Sequence, residues 1–284
     1  MPAFKAACIQ ITSKTDVHEN LKTATELIRE AAAEGANFIG TPEVTNMLEP
    51  HKAAAREKAQ LQNDDVTLAS FRQLADELDT WILAGSLVIK KPNEDRLANR
   101  SFLIRPDGSI AAQYDKIHMF DVELDTGESH KESRAYAPGD KAVIAQTPWG
   151  QIGLSVCYDV RFAHLYQALA QAGAGIFTIP AAFTHTTGLA HWEILLRARA
   201  IENGAYVIAP AQCGQNSEKR RTYGHSMIIN PWGEKIAEMG EETGFITADI
   251  DTDQIKRRRQ QIPNLKNNRD FTFEPAIYDA TAAE

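Results

Sequence analysis

The sequence predicts an α/β fold, a sandwich whose sheets are covered by helices, and three observations carry that prediction. Apolar runs of strand length alternate with helically periodic segments in the first half of the chain. The second half holds many short strand-like runs and few long helices. No linker, low-complexity segment or repeat interrupts the 284 residues, so one domain over 1–284 is expected, with an extended tail from about residue 264.

In chain order, "FKAACIQI" reads as a strand, 16–34 as a helix, "ANFIG" as a strand, 66–79 as a helix and "WILAGSLVI" as a strand. "RPDGS" is a turn joining "SFLI" to "IAAQY". Ile152, Leu154 and Val156 then alternate with Gly153, Ser155 and Cys157, a strand with a small second face that ends at a thiol. Phe162, Leu165 and Leu169 recur at helical spacing, and Gly173 is the stop. "GIFTIP" follows as a buried strand and "GLAHWEILLRARAIENG" as a helix, in which Ile194, Ala198 and Ile201 share a stripe and Glu193 can pair with Arg197. "AYVIAPA", "GHSMIIN", "EKIAEM" and "GFITADI" complete the strands, with "NPWGE" a turn.

Composition narrows the function. Apolar content of 43% and charged content of 24% are those of a globular protein. A net charge of −8, from 30 basic and 38 acidic residues, argues against a nucleic-acid partner, and the "KRRR" run at 256–259 reads as a solvated helix face. Cys8, Cys157 and Cys213 are odd in number and far apart, which speaks for a reducing compartment. No run is long enough to span a bilayer and "MPAFKAACIQI" lacks the pattern of a signal peptide, so a cytoplasmic protein without a membrane partner is expected. No Cys/His zinc spacing and no phosphate-cradling loop is found, so no metal and no cofactor are expected.

Three segments have the form of a reaction site. Cys157 stands between a strand and a helix, an arrangement that presents a nucleophile, although most free cysteines are small buried hydrophobes. Glu43 is the first charge after the apolar "ANFIGTP", where desolvation would raise its pKa toward that of a general base; a capping carboxylate is the plainer reading. Lys116 follows a strand-like run among His118, Phe120 and Asp121, though most lysines are solvated. No histidine is singled out as partner to the thiol, and Trp192 is assigned no role.

"GTPEV", "YDKIHMFDVEL" and "GLSVCYDVRF", in that order, resemble the three catalytic blocks of the nitrilase, or carbon-nitrogen hydrolase, superfamily. The likeness continues through "FTHTTGLAHWEILLRARAIENGAYVIAPAQCG", "YGHSMIINPWGE" and "IDTDQI", nearly the whole chain. It is nearest the Nit branch, and "APAQCGQNSEKRRTYGHSM" is more similar to its deaminated glutathione amidases than to its ω-amidases. The resemblance implies a four-layer αββα sandwich, a homodimer or larger assembly, and a small amide substrate cleaved to acid and ammonia. It implies Glu43 as general base, Lys116 as transition-state stabiliser and Cys157 as nucleophile. Glu132 matches the second glutamate of the family, with Glu123 and Glu128 as nearby alternatives.

For substrate binding the candidates are Tyr158, through its backbone N–H; Phe183 and Thr184, in "FTHTTG"; and Arg161, Arg220 and Arg221, which suit a carboxylate. Arg161 could equally anchor a helix or a dimer contact. An ω-amidase, an N-carbamoyl hydrolase and a nitrilase proper would share the Glu-Lys-Cys set. From other classes, a non-catalytic member of the fold would have lost one of the three, and a redox thiol would need a second cysteine close by.

Overall fold

Period-two burial in the first strand explains the layering. Along Phe4–Gln10 (β1), Ala7 and Ile9 pack with helical Ala24, Ile28, Leu68 and Phe71, while Phe4, Ala6 and Cys8 join a cluster that includes Ile152, Leu154 and Ile176 of another sheet. One strand therefore has helices on one side and a sheet on the other. The structure, a computed structural model, describes residues 3–125 and 127–274.

After β1 come α1 (Val17–Ala33), β2 (Phe38–Gly40), α2 (Lys52–Lys58), β3 (Gln60–Leu61), α3 (Val66–Glu77), β4 (Trp81–Lys90), β5 (Leu97–Ile104) and β6 (Ile110–Asp115). A small hairpin of β7 (Asp121–Glu123) and β8 (Ser129–Lys131) leads to β9 (Val143–Thr147), β10 (Gly150–Leu154), α4 (Ala163–Gln171), β11 (Ile176–Thr178), α5 (His185–Asn203) and β12 (Tyr206–Ala209). A second small hairpin, β13 (Cys213–Ser217) and β14 (Arg220–Tyr223), precedes β15 (Met227–Ile229), β16 (Lys235–Glu238), β17 (Gly244–Ile250) and α6 (Asp253–Gln261).

One sheet runs β17-β1-β2-β4-β5-β6, with β3 on β4, and the other β16-β15-β12-β11-β10-β9. Each has three parallel strands at its centre, β1, β2 and β4 or β10, β11 and β12, with antiparallel strands outside them apart from the short β3, which is parallel to β4. The two sheets face each other, α1 and α3 cover the first, and α4 and α5 cover the second, giving the four layers αββα. Among the described residues no helix is long and apolar enough to cross a membrane.

Local chemistry sets the element ends. Asp16 caps α1 by accepting from His18 and Glu19 N–H, and Asp65 caps α3 by accepting from Leu68 N–H. Helix α5 starts at His185, ahead of the expected Gly188, because Thr184 accepts from Thr187 N–H; Gly204, at φ +52°, closes it.

Three segments are placed more finely than the sequence allowed. The Ile194–Ile201 stripe of α5 faces outward, 69% and 51% exposed, while Trp192, Leu196 and Ala200 pack inward. The basic run of α6 is not wholly solvated: Lys256 and Arg257 are exposed, but Arg259 donates to Asn203 and Ala174 carbonyls and ties α6 to the body. Of the tail, 264–266 form a turn, 267–274 lack helix or strand, and 275–284 lie outside the described residues.

Candidate active site

The strand ends bring four side chains together. Glu43 lies just past β2, where the backbone turns through Thr41 and Pro42, and the residue is 4% exposed. Its Oε1 accepts from Lys116 Nζ and from Asn99 Nδ2, both at 2.8 Å, and its Oε2 accepts from Ala182 N–H at 2.8 Å. Lys116, directly after β6 and 2% exposed, also donates to both oxygens of Glu132, at 3.0 and 2.9 Å. Glu132 opens a short 3₁₀ turn after β8 and is fixed by Phe120 N–H at 2.6 Å and Asn99 Nδ2 at 3.2 Å.

Cys157 opens the 3₁₀ turn Cys157–Arg161 that follows β10. Its φ is +50°, a left-handed conformation that costs a non-glycine residue about 1–3 kcal/mol and is typical of nucleophile turns. Its N–H donates to Pro180 O at 2.8 Å, and its thiol is within hydrogen-bonding reach of Glu43. Tyr158 N–H belongs to the first turn of this short helix, where amides have no partner within the helix.

Electrostatics assigns the resting protonation. Burial pushes the Glu43 carboxyl up, but the charge of Lys116 and bonds from Lys116, Cys157 and Asn99 outweigh it and hold the group below the usual carboxylate range. The expectation that desolvation would raise Glu43 is thus reversed by its partners. Burial likewise pushes Lys116 down, and Glu132, Glu43 and Cys157 more than restore it, so its pKa stands well above the ordinary lysine value. Cys157 goes up well above the ordinary thiol, first through burial and then through Glu43, with Lys116 opposing. The free site therefore holds a neutral thiol, a carboxylate ready to take its proton and an ammonium beside both.

These groups line a cavity of about 590 Å³. Tyr158, Phe183, Thr184 and Arg220, four of the six candidates for substrate binding, line it too. Arg220 donates to Ala182 O at 3.2 Å, and its buried Nε has no partner. Lys52, Lys131, Arg134 and Lys219 add positive charge to the lining, against Glu49 and Glu128.

Arg161 and Arg221 are not brought to the cavity. Arg161 meets His191 Nδ1 at 3.2 Å and lies over the rings of Tyr158 and Phe183, at 5.8 and 5.5 Å. Arg221 pairs with Glu241, since strand alternation turns it to the face opposite Arg220. Of the three candidate second glutamates, Glu132 touches Lys116; Glu128 lines the cavity bonded to His130, and Glu123 is exposed on β7. The sequence reading missed Asn99, which bonds both Glu43 and Glu132, and His130 in the lining. An asparagine directly after buried Ala98, in the otherwise strand-like run that ends at Phe102, was the available signal. Among the described residues no group of His, Cys, Asp or Glu is arranged to hold a metal.

Comparison with known proteins agrees with this geometry. The carbon-nitrogen hydrolase family model matches residues 5–260. A deaminated glutathione amidase of Synechocystis is 41% identical over 94% of this chain and 98% of its own, and the human one 40% over 93% and 81%. A human omega-amidase, NIT2, is 35% identical over 95% and 96%. The Caenorhabditis elegans NitFhit protein superposes with a TM-score of 0.89 at 35% identity, over 94% of this chain and 65% of that longer one. An amidase from Nesterenkonia sp. AN1 superposes at 0.76 with 25% identity, over 92% and 98%, and in one of its variants acrylamide is joined to the active-site cysteine. With a family match over nine-tenths of its length and relatives near 40% identity, the chain belongs to the carbon-nitrogen hydrolase family.

Proposed function

We propose that the chain is a thiol-dependent amidase that hydrolyses deaminated glutathione, with Glu43, Lys116, Cys157 and Glu132 as its catalytic residues. The observation that carries the substrate is Arg220, which lines the cavity that holds Cys157 and whose buried Nε has no partner. A guanidinium so placed suits a carboxylate, and the amidase relatives act on a substrate that carries them.

The chemistry follows from the resting charges. Glu43 takes the thiol proton as sulfur bonds to the amide carbon, and the carbonyl oxygen becomes an oxyanion facing Lys116 and Tyr158 N–H. A donor of this kind stabilises such a transition state by about 3 kcal/mol. Protonated Glu43 passes its proton to the departing nitrogen, the C–N bond breaks and a thioester remains. Water, losing its proton to Glu43, then releases the acid and the thiol. Glu132 and Asn99 keep Lys116 and Glu43 in register throughout. The nitrogen of deaminated glutathione belongs to cysteinylglycine, so that dipeptide departs with 2-oxoglutarate as the acid product, and ammonia would leave only from a primary amide.

The second reading is an ω-amidase, favoured by the 35% identical human relative. Deaminated glutathione and α-ketoglutaramate both yield 2-oxoglutarate, so one assay compares them, with Cys157→Ala as blank. A higher kcat/KM for deaminated glutathione and a raised KM in Arg220→Ala are expected. Preference for α-ketoglutaramate would overturn the substrate, and turnover by Cys157→Ala would overturn the mechanism.

A homodimer acting as a single-domain subunit in the cytoplasm completes the proposal. The exposed Ile194 and Ile201 of α5 support the dimer, the core shared by both sheets supports the single domain, and three free, buried cysteines fit a reducing compartment.

A further inference from the structure

Asp159, in the motif that carries the nucleophile, has no part in the steps above, yet it is 0% exposed and lies at the junction of the two catalytic segments. Its Oδ2 accepts from Val156 N–H at 2.8 Å and from Tyr114 Oη at 2.7 Å. Its Oδ1 accepts from His118 N–H at 3.1 Å and faces His118 Nδ1 at 2.7 Å. A carboxylate offers about four acceptor positions, and here four polar atoms occupy them.

The partners come from two places. Val156 immediately precedes Cys157, and Tyr114 and His118 stand two residues to either side of Lys116. The Tyr114 hydroxyl that donates to Asp159 also accepts from Ile117 N–H at 3.3 Å, which closes the loop around the carboxylate. The His118 ring stacks on Phe162 at 3.5 Å between centroids and 7° between planes, a second tie between the same two segments.

We propose that Asp159 is a positioning residue that locks the Cys157 turn to the Lys116 loop and so sets the sulfur-to-ammonium geometry. The proposal rests on the reading of Cys157 as nucleophile and Lys116 as stabiliser. Asp159 does not line the cavity, so it acts through the two groups it aligns. Two features call for such a lock. Cys157 holds φ +50°, a strain that persists only where the surroundings over-determine it. Beyond Lys116, whose own N–H still donates to Asn99 O of β5, the chain runs on through Ile117 and His118 as irregular backbone with no strand beside it. A fully bonded buried carboxylate has one geometry and transmits it to both.

The experiment compares Asp159→Asn, Tyr114→Phe and His118→Ala with the parent protein, reading kcat, KM, Tm and the rate of Cys157 alkylation by iodoacetamide. Asp159→Asn keeps the shape but turns amide hydrogens toward donors. Its kcat is expected to fall about 100-fold, the effect of a displacement near 1 Å, with KM changed less than about twofold. Cys157 alkylation should slow alongside kcat. Tyr114→Phe and His118→Ala each remove one of the four contacts to Asp159, the first with the Ile117 N–H bond and the second with the Phe162 stack, and should lower kcat by about tenfold while Tm stays within a few degrees.

Unchanged kcat and alkylation in folded Asp159→Asn would overturn the lock and leave Asp159 a core polar group. If Asp159→Asn does not fold, unchanged kcat in both Tyr114→Phe and His118→Ala overturns it instead. The Cys157→Ala blank separates the two failures: turnover there would overturn the underlying mechanism, whereas a silent blank beside a fully active Asp159→Asn would overturn the lock.

Discussion

Asn99 donates from one amide nitrogen to Glu43 at 2.8 Å and to Glu132 at 3.2 Å, and it thereby fixes the two carboxylates that share Lys116. Hydrogen bonds to charged groups contribute about 1.5–3 kcal/mol each. Asn99→Ala is therefore expected to lower kcat by about 10- to 100-fold with the fold retained, as read by kinetics and circular dichroism. Asn99→Asp should do worse, since it sets a third carboxylate against two others. The pH profile follows from the same group of charges. With Glu43 held below 4.5 and Lys116 above 10.5, kcat/KM should be level between those values and fall on the acid side as Glu43 protonates. Because Cys157 stays a thiol past 9.0, a rise in kcat/KM through pH 9 would mean that preformed thiolate, not the Glu43-assisted thiol, reacts. Glu43, Lys116 and Cys157 were legible as three ordered motifs. The depressed Glu43 was not, because the partners that reverse its desolvation are 73 and 56 positions away.

At the scale of elements, the site depends on how closely strands approach. A Cβ added at Gly85 of β4 would lie 1.6 Å from Thr41 O and 2.6 Å from Pro180 Cβ. Thr41 leads to Glu43, and Pro180 O accepts from Cys157 N–H, so this glycine sits where the base segment and the nucleophile segment meet. Gly85 also lies in the irregular stretch of the β4–β5 pairing between Ala84 and Leu87. Gly85→Ala should cost about 1–3 kcal/mol in stability and, by displacing the base from the thiol, about 100-fold in kcat. Gly240→Ala, whose added Cβ meets nothing within 4 Å, is the control and should alter neither Tm nor kcat. The long elements were readable because apolar periodicity marks what they bury. The hairpins β7–β8 and β13–β14 were not, since "SHK" and "RRTY" carry little apolar patterning; both hairpins contribute to the cavity lining.

Over the whole molecule, the two sheets supply the site jointly. Glu43, Asn99 and Lys116 come from segments of the first sheet, Cys157 and Ala182 from segments of the second, and the Ala182 N–H to Glu43 bond joins them directly. Sequence patterning showed strands and helices but not their order: β17 lies beside β1 through pairs such as Phe4 with Ile250, a contact between distant parts of the chain that local periodicity does not encode. The outer face of α5 raises the same issue one level up. Ile194 and Ile201, one heptad apart on one stripe, are 69% and 51% exposed, and Trp232 and Ile262 line the hollow beside Ile201. Apolar surface of this kind is stabilised by burial against a partner, and in a two-fold dimer the same patch would meet itself. Light scattering should then give about twice 31.4 kDa for the parent protein. Ile194→Asp combined with Ile201→Asp would place four carboxylates in one apolar contact, two from each copy, and should yield the single-chain mass with the Cys157 cavity untouched. A single-chain mass for the parent would remove the dimer and leave the stripe as solvent-facing surface.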